Sequence, residues 1–295
     1  MAPQTRKRLW HLVFAPLLLV ATACSSPTQP VESSASAAEP APFTLRVGFI
    51  GTTGRGALGP EGWGAQKGIL GPALQKAGVG DIQWFGFPNG PDLNEALAAG
   101  ELDIGIYGDT PAIVARAAGL KTRLIAQSTV GMNAWILTRE DGPLSLSELK
   151  GKTVGVQKGS YIHRYLAGLL AEQGLSRDVT IVHLLSTEGE AALLRGDLDA
   201  YAFASGLGPE LALKGYRVLD EAAEHPHLLG SSLTVITEEA LKKHPYLPEA
   251  WLEARRLAID DLTGAPEEFY QYLAEASGYS LDAVKASYPL EGYPT

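Results

Sequence analysis

The chain has almost no cysteine, and Cys24 is its only one in 295 residues. A single cysteine cannot form a disulfide within the chain, so the fold must depend on its hydrophobic core. Beyond residue 24, the sequence has no apolar run approaching the roughly 20 residues that a transmembrane helix needs. We therefore expect the mature chain to contact a membrane through a lipid anchor only.

Positive charge is also limited. The chain has 24 Lys and Arg residues against 33 Asp and Glu residues, which gives a formal net charge of −9 at pH 7. An acidic surface argues against a broad basic patch for nucleic acid or anionic membrane. We expect no nucleic-acid partner, whereas a small anionic ligand stays possible because a few local donors can hold it.

Motifs for catalysis and for cofactors are missing as well. The sequence has no G-x-S-x-G elbow, and Cys24 cannot act as a nucleophile if it is lipidated or removed. The glycines of residues 51–56 have the spacing G-x-x-G-x-G, which differs from a dinucleotide fingerprint. His225 and His227 flank a proline, a weak metal signal without further ligands. We expect no enzyme activity, catalytic residue, cofactor or metal site.

The first 24 residues have the organisation of a secretory signal peptide. Residues 6–8 are cationic, and residues 9–23 are apolar apart from His11 and Thr22. Small residues directly before Cys24 resemble a bacterial lipobox, although Ala21 stands where a bulkier residue is usual. An ordinary cleaved signal with an incidental cysteine is the alternative. Both interpretations predict export, and the first adds lipidation of Cys24 and anchoring at the cell membrane, facing the periplasm or the outer surface.

The region after the signal changes in composition twice. Residues 25–42 are mostly Ser, Ala, Pro and Glu, which predicts a flexible linker. From residue 44, strand-like and helix-like segments alternate, which predicts an α/β protein with mainly parallel sheets. The predicted strands cover residues 45–50, 82–87, 102–107, 122–128, 134–138, 153–156, 179–183, 200–203 and 232–237. The predicted helices cover residues 92–99, 111–118, 160–173 and 188–195, followed by a helical tail from 238 to about 286.

This alternation occurs in two series, which predicts two lobes. About 250 residues remain after the signal and linker, enough for one large or two modest domains. We place the crossings between the lobes near residues 129–134 and 229–233, since both stretches contain glycine. The first lobe is then formed by residues 43–131 and 234–295, and the second lobe by residues 132–233.

One candidate ligand site follows the strand that ends at Tyr107. Gly108, Asp109, Thr110 and Pro111 form a helix-start signature, because a hydroxyl able to cap precedes a proline at the first helical position. In open α/β sheets, ligands bind beyond such strand ends, and the helix dipole favours an anion. A plain helix cap without a ligand is the alternative for this segment taken alone.

A second candidate has the same construction in the other lobe. Gly159 and Ser160 follow a predicted strand, with Ser160 as the helix cap and Tyr161 in the first turn. Two such turns, one in each lobe, would face each other across a cleft. They would then offer backbone N–H donors from both sides to one small anion.

Further candidates lie in a glycine-rich loop and among the aromatic residues. The loop covers residues 51–64, and its length of about 14 residues exceeds an ordinary connection. Thr52, Thr53 and Arg55 are its candidate donors. Trp135 and Tyr161 are the aromatic candidates for the ligand wall, because they flank a crossing and a capping turn. A place in the core is the alternative for each of these rings.

Several motifs in one order resemble a known family. They are residues 90–97, 102–105, 108–111, 117–119, 149–156, 157–160 with His163, and 196–200. The chain resembles the substrate-binding proteins of ABC importers for nitrate, taurine and aliphatic sulfonates, and is most similar to the sulfonate binders. The resemblance implies a type II periplasmic-binding-protein fold, in which two α/β lobes joined by two crossover strands close on a ligand. It also implies a monomer that delivers its ligand to a permease with a cytoplasmic ATPase.

The resemblance implies roles for individual residues. In that family the two strand-to-helix turns hold the sulfonate oxygens, which corresponds here to Asp109 and Thr110, mostly through backbone N–H, and to Gly159 and Ser160 with Tyr161 close by. Residues 201–209 depart from the tryptophan-containing segment that is common among sulfonate binders. The resemblance therefore favours an aliphatic sulfonate or a related organosulfur anion, with the transport role better supported than the ligand.

Two other functions stay open from the sequence. The first is the same transport role for a neutral or cationic heterocycle, similar to a thiamine precursor or a flavin. Such a ligand would stack on Trp63, Trp135 and Tyr161, with Asp109 accepting a hydrogen bond. The second is an extracytoplasmic enzyme or sensor domain.

Overall fold

The computed structural model describes residues 41–51 and 56–295. The signal peptide, Cys24, nearly all of the linker, and Thr52, Thr53 and Arg55 lie outside the described residues, so these remain predictions. In the described part of the chain, no helix is both long enough and apolar enough to span a membrane.

Strands and helices alternate through most of the described chain. The strands are β1 (Phe43–Ile50), β2 (Val79–Phe87), β3 (Ile104–Gly108), β4 (Thr122–Met132), β5 (Ala134–Thr138), β6 (Thr153–Val156), β7 (Thr180–His183), β8 (Ala200–Ala204), β9 (Arg217–Glu221) and β10 (Gly230–Thr237). The helices are α1 (Pro60–Gln66), α2 (Leu70–Gln75), α3 (Gly90–Ala98), α4 (Asp109–Ala117), α5 (Tyr161–Glu172), α6 (Ser186–Arg195), α7 (Leu207–Leu213), α8 (Glu238–Lys243), α9 (Leu247–Gly264), α10 (Pro266–Ser277) and α11 (Leu281–Ser287). Short 3₁₀ turns lie at Leu146–Leu149, Ala222–Glu224, Pro226–Leu228 and Leu290–Gly292.

The strands form two five-stranded sheets. One has the order β2-β1-β3-β10-β4, and the other has the order β7-β6-β8-β5-β9. We call the layers built on them the first and the second lobe. The chain changes sheet between Met132 and Ala134, and again between Glu221 and Gly230.

Both sheets are mixed, which corrects the prediction of mainly parallel sheets. β1 pairs in parallel with β2 and β3, and β6 pairs in parallel with β7 and β8. In contrast, β10 is antiparallel to β3 and β4, and β5 is antiparallel to β8 and β9. A crossover helix produces parallel neighbours. β5 and β10 instead enter their sheets from the other lobe with no α-helix before them.

Each lobe has its own hydrophobic core. In the first lobe, Leu45 and Val47 belong to the same buried cluster as Trp251 of α9, and they share one face of β1 because side chains alternate along a strand. In the second lobe, Val154 of β6 packs with Leu166 of α5. In each lobe, the apolar face of the helix, α9 or α5, therefore lies against the sheet.

The structure differs from the predicted elements in several places, including α2, which was not predicted. The glycine-rich loop is shorter than predicted, because Pro60 starts α1 as a proline at the first helical turn can. The predicted helical tail is four helices, α8 to α11, with breaks at His244, Ala265 and Gly278. The stretch after residue 204 forms α7 and β9, which the sequence pattern did not predict.

Candidate functional site

A cavity of about 350 Å³ lies between the two lobes. The first lobe lines it with the end of β1 and the segment after it, with the ends of β3 and β4, and with residues from α10 to the last 3₁₀ turn. The second lobe contributes Gln157, Ser160, Tyr161, Ile162, Ser186, Ala204 and Ser205. The cavity therefore lies beyond the carboxyl ends of strands from both sheets, where open α/β sheets bind ligands.

Four helices begin at this cavity. Its lining includes Gly90, the first residue of α3, and Gly108, the residue before α4. It also includes Ser160, the N-cap of α5, and Ser186, the first residue of α6. A helix N-terminus presents unpaired N–H groups and a partial positive charge. The convergence of four such ends favours a negatively charged ligand group.

Local sequence explains the turn before α5. The Ser160 hydroxyl accepts a hydrogen bond from the His163 N–H at 3.2 Å and donates to the Gln157 carbonyl at 2.6 Å. Gly159 has a φ of +84°, a conformation that glycine adopts at little cost. A Cβ at Gly159 would lie 3.5 Å from Pro91 of the other lobe, so the two lobes approach closely here.

Charged side chains are absent from the described lining of the cavity. Its polar groups are hydroxyls, one amide side chain and backbone atoms, and its remaining surface is apolar or aromatic. Helix dipoles would therefore supply the positive potential that the described side chains do not. The apolar surface suits the carbon part of an organic ligand.

Five tyrosines line the cavity: Tyr107, Tyr161, Tyr279, Tyr288 and Tyr293. The Tyr107 hydroxyl donates to Asn94 at 2.7 Å, and the Tyr161 hydroxyl donates to the Asn133 carbonyl at 3.1 Å. Burial raises the pKa of Tyr161 to about 12, so this hydroxyl stays protonated at neutral pH. The cavity wall at Tyr161 is therefore uncharged at neutral pH.

Of the residues predicted for the site, Ser160 and Tyr161 line the cavity together. Asp109 and Thr110 lie at the start of α4 beside it, but their side chains bond to Arg164 of the second lobe. The Arg164 guanidinium contacts the Asp109 carboxylate at 3.0 Å and the Thr110 hydroxyl at 3.2 Å. A ligand could therefore use the backbone N–H groups of this turn while the side chains join the lobes.

Trp135 and Trp63 do not line the cavity. Trp135 is buried in the second lobe, where a Cβ on Gly208 of α7 would lie 2.6 Å from its ring. Trp63 is buried in the first lobe, and its Nε1 donates to Asp261 at 2.7 Å. The structure gives both rings core positions, which removes two of the three aromatic rings assigned to a stacked heterocycle.

Sequence reasoning missed Arg164 and the tyrosines after residue 277. Arg164 lies in the first turn of α5, and only the tertiary structure brings it to Asp109, 55 residues away in the chain. Tyr279 lies near the end of the long predicted tail, and Tyr288 and Tyr293 follow it. A cluster of tyrosines near a terminus is the one signal that could have drawn attention to them.

One group of side chains elsewhere has the composition of a cation site. Asp220, Glu224 and His225 place one ligand atom each within 4.8 Å of one another. The Asp220 carboxylate already accepts hydrogen bonds from the Tyr165 hydroxyl and, at 3.0 Å, from His225 Nε2. His227 pairs with Glu172 at 2.6 Å instead. The Asp220 carboxylate and the His225 imidazole are therefore already engaged in hydrogen bonds within the protein.

Comparison with known proteins gives one family and several related structures. The family described as NMT1/THI5 like matches residues 84–269. The chain is 33% identical over 183 residues to an aliphatic sulfonates-binding protein of Escherichia coli (strain K12), covering 58% of this chain and 52% of that protein. It is 31% identical over 184 residues to the protein of the same name from Bacillus subtilis (strain 168), covering 61% and 55%. The chain thus spans about half the length of the curated relatives it matches.

Solved structures match over more of the chain. The alkanesulfonate-binding protein SsuA from Xanthomonas axonopodis pv. citri, bound to MOPS, is 26% identical, with a TM-score of 0.71 and coverage of 87% of this chain and 86% of that one. The periplasmic aliphatic sulphonate binding protein SsuA from Escherichia coli is 25% identical, with a TM-score of 0.66 and coverage of 86% and 84%. The predicted periplasmic-binding-protein fold, with two α/β lobes around a cleft, is confirmed.

Proposed function

Because this chain belongs to the NMT1/THI5-like family, we propose that it is the extracytoplasmic solute-binding component of an ABC importer. It captures a small organic anion in the cavity between its lobes, an aliphatic sulfonate or a related organosulfur compound. It then delivers this solute, as a monomer, to a permease with a cytoplasmic ATPase. We propose no enzymatic role, in keeping with relatives that are named binding proteins.

The observation that carries this proposal is the meeting of four helix N-termini at one cavity whose described lining has no charged side chain. Gly90, Gly108, Ser160 and Ser186 mark the four ends. A sulfonate has three oxygens that accept hydrogen bonds, and N–H groups from several directions can satisfy them together. The carboxylate at these ends, that of Asp109, is paired with Arg164 and does not line the cavity.

Attachment to the cell membrane is part of the same proposal. Cys24 would carry the lipid, and residues 25–42, which are mostly Ser, Ala, Pro and Glu, would connect it to the first lobe. The E. coli structure is named periplasmic, which supports export of this chain. A lipid anchor would keep the binding protein near its permease.

The anion assignment can be tested by thermal unfolding with a panel of ligands. The panel contains propane-, butane- and hexanesulfonate, taurine, an alkyl sulfate ester and nitrate. A ligand at one hundred times its Kd should stabilise the folded protein by about 2.7 kcal/mol, which raises Tm by several degrees. If no anion raises Tm, the proposed function fails.

A neutral or cationic heterocycle is a second candidate, and the tyrosine-rich uncharged lining favours it. Tyr161 is the one of the three rings assigned to stacking that borders the cavity. The same unfolding assay with an aminopyrimidine and with riboflavin tests this candidate. A shift in Tm with these compounds and none with the anions would favour it over the sulfonate.

A further inference from the structure

Asn133 lies between the two sheets at the first crossing, after β4 of the first lobe and before β5 of the second. β5 enters the second sheet between β8 and β9. Its first residue, Ala134, pairs with Ala204, where β8 ends. Trp135 pairs with Glu221, where β9 ends. The residue before β5 therefore lies close to the segments that follow both neighbouring strands.

The Asn133 side chain joins the first crossing to the start of the second. Its Nδ2 donates to Glu221 Oε2 at 2.8 Å, and its Oδ1 accepts the Ala223 N–H at 2.8 Å. At the other end of the second crossing, Gly230 pairs with Met132 of β4. The two crossings are thus held together at both ends, by strand pairing in the first lobe and by one amide side chain in the second.

The backbone of the same residue holds two side chains of the cavity wall. Tyr161 and Ser205 both line the cavity, and their hydroxyls donate to the Asn133 carbonyl at 3.1 and 3.2 Å. That carbonyl shares a peptide with the Ala134 N–H, which donates to Asn133 Oδ1 at 2.9 Å. This peptide is therefore fixed by residues of the cavity wall at its carbonyl and by the Asn133 amide at its N–H.

The Tyr161 ring also packs against the end of the second crossing. A Cβ on Gly230 would collide with this ring, so the close contact requires glycine there. A Cβ on Gly108 of the first lobe would lie 3.7 Å from Tyr161 Cδ1. Tyr161 thus contacts both crossings, through its hydroxyl at Asn133 and through its ring at Gly230. A change in the arrangement of the crossings would therefore move a residue of the cavity wall.

These contacts connect the crossings to the cavity through one residue. We propose that Asn133 is a positioning residue for ligand binding, whose side chain fixes the arrangement of the two crossings that places Tyr161 and Ser205 in the cavity wall. Asn133 does not itself line the cavity, so it acts through these two residues. The ligand-binding part of this statement rests on the proposed function, whereas the part about the crossings does not.

Exchanging donor and acceptor between Asn133 and Glu221 tests the proposal. Asn133→Asp removes the donor and sets two carboxylates side by side, so its Kd for butane-1-sulfonate should rise roughly tenfold. Glu221→Gln keeps an acceptor for the Asn133 amide and should change Kd less than about threefold. The double variant restores a hydrogen bond in the opposite direction, with the net charge of the wild type, and should return to within about threefold of the wild-type Kd. Isothermal titration calorimetry measures each protein.

Small-angle scattering by the ligand-free proteins tests the crossings without any ligand. N133D should have a larger radius of gyration than the wild type, because the second crossing is no longer held to the first, and the double variant should restore the wild-type radius. Gln127→Glu is the matched control. It adds the same charge beside the second crossing, where Gln127 Nε2 donates to the Ser231 hydroxyl at 3.2 Å, and leaves the Asn133 bonds in place. It should leave the radius unchanged and change Kd less than about twofold.

Two further variants test the link from Asn133 to the cavity. Asn133→Ala removes the same side-chain bonds without adding charge, so it should also raise Kd, and Glu221→Gln should not rescue it. Tyr161→Phe removes one of the hydroxyls that the Asn133 carbonyl holds. Because both substitutions act on one chain of hydrogen bonds, the losses of affinity in N133A and Y161F should be less than additive. Additive losses would overturn the link to Tyr161.

The outcomes separate this inference from the proposed function. The inference is overturned if N133D and N133A bind with the wild-type Kd, even if both lose free energy of unfolding, because Asn133 would then be a purely structural residue. A double variant that binds as weakly as N133D also overturns it. If no sulfonate of the panel binds the wild-type protein, the proposed function fails, and equal radii of N133D and the wild type would then overturn the inference as well.

Discussion

Arg164 of the second lobe and Asp109 of the first lobe form an ion pair, with Nη2 and Oδ2 3.0 Å apart. The same Nη2 donates to the Leu229 carbonyl at 3.1 Å, and Nε donates to the Thr110 hydroxyl at 3.2 Å. The Asp109 carboxylate also accepts the Ser231 N–H at 3.1 Å. These bonds join the start of α4, the start of α5 and the second crossing, so they stabilise the lobes in contact.

Replacing Arg164 with Gln should weaken ligand binding without altering the cavity lining. Arg164 is 38% exposed, so the loss is on the order of 1–2 kcal/mol, or roughly tenfold in Kd. Arg195→Gln is the control, because Arg195 pairs with Asp197 on the surface. Calorimetry with the tightest sulfonate of the panel measures the effect, and small-angle scattering should show a larger radius of gyration for ligand-free R164Q. An unchanged Kd and an unchanged radius of gyration in R164Q would show that the Arg164–Asp109 pair does not hold the two lobes in contact.

Removing the cap of α5 should reduce affinity more than it reduces stability. Ser160→Ala deletes the acceptor of the His163 N–H, which costs about 1 kcal/mol of folding free energy. Thr237→Ala is the matched control, because Thr237 caps α8 through the Ala240 N–H at 3.1 Å and does not line the cavity. Urea unfolding should show similar losses in both variants, whereas only S160A should raise Kd, by roughly threefold to tenfold. Equal Kd values in the two variants would contradict a role of this turn in binding.

The cap of α5 could be predicted because its signal is local, whereas the cap expected from Thr110 is wrong, since α4 begins at Asp109 after Gly108 and has no side-chain cap. Ser160 is followed by a helix whose first N–H groups need an acceptor, and a hydroxyl three residues before His163 supplies one. Alternating strands and helices likewise predicted two α/β lobes. Such inferences need only the sequence within a few residues of each position.

The remaining parts of the site depend on contacts between distant segments. Trp135 follows a crossing, as expected for a cleft residue, but α7 covers its ring through Gly208. The pairing of Arg164 with Asp109 and the position of Tyr293 at the cavity also join segments far apart in the sequence. No periodicity or spacing reports such contacts, so a single sequence could not predict them.

The pair of Glu61 and Arg255 should be the ion pair most sensitive to a single substitution. Its side chains are 2% and 3% exposed, and Nη1 lies 2.8 Å from Oε1. Arg255 also donates to the Ser128 carbonyl at 2.6 Å. Arg255→Met leaves Glu61 buried without its partner, which should lower the free energy of unfolding by about 3–5 kcal/mol.

The neighbouring residue provides the control for this prediction. Arg256, on the same helix, pairs with Glu253 and Asp260 at the surface, so Arg256→Met should cost less than about 1 kcal/mol. The double variant Glu61→Met with Arg255→Met should lose less than the sum of the single losses, because no unpaired charge remains. Additive losses in urea unfolding, or an equal effect of R256M, would refute a coupled buried pair.

Alkaline pH should destabilise the fold through its buried tyrosines. Burial raises the pKa of Tyr161 and of Tyr201 to about 12 each, above the value near 10 expected in the unfolded chain. These groups lose their protons more readily when unfolded, so their contribution to stability is complete below pH 10 and is lost between pH 10 and about 12. Urea unfolding at pH 8, 9, 10 and 11, with phenolate absorbance at 295 nm, measures this slope. Tyr201→Phe should reduce the slope, whereas Tyr246→Phe, at an exposed position, should not. Equal slopes in wild type and Y201F would mean that Tyr201 ionises in the folded protein as readily as in the unfolded chain.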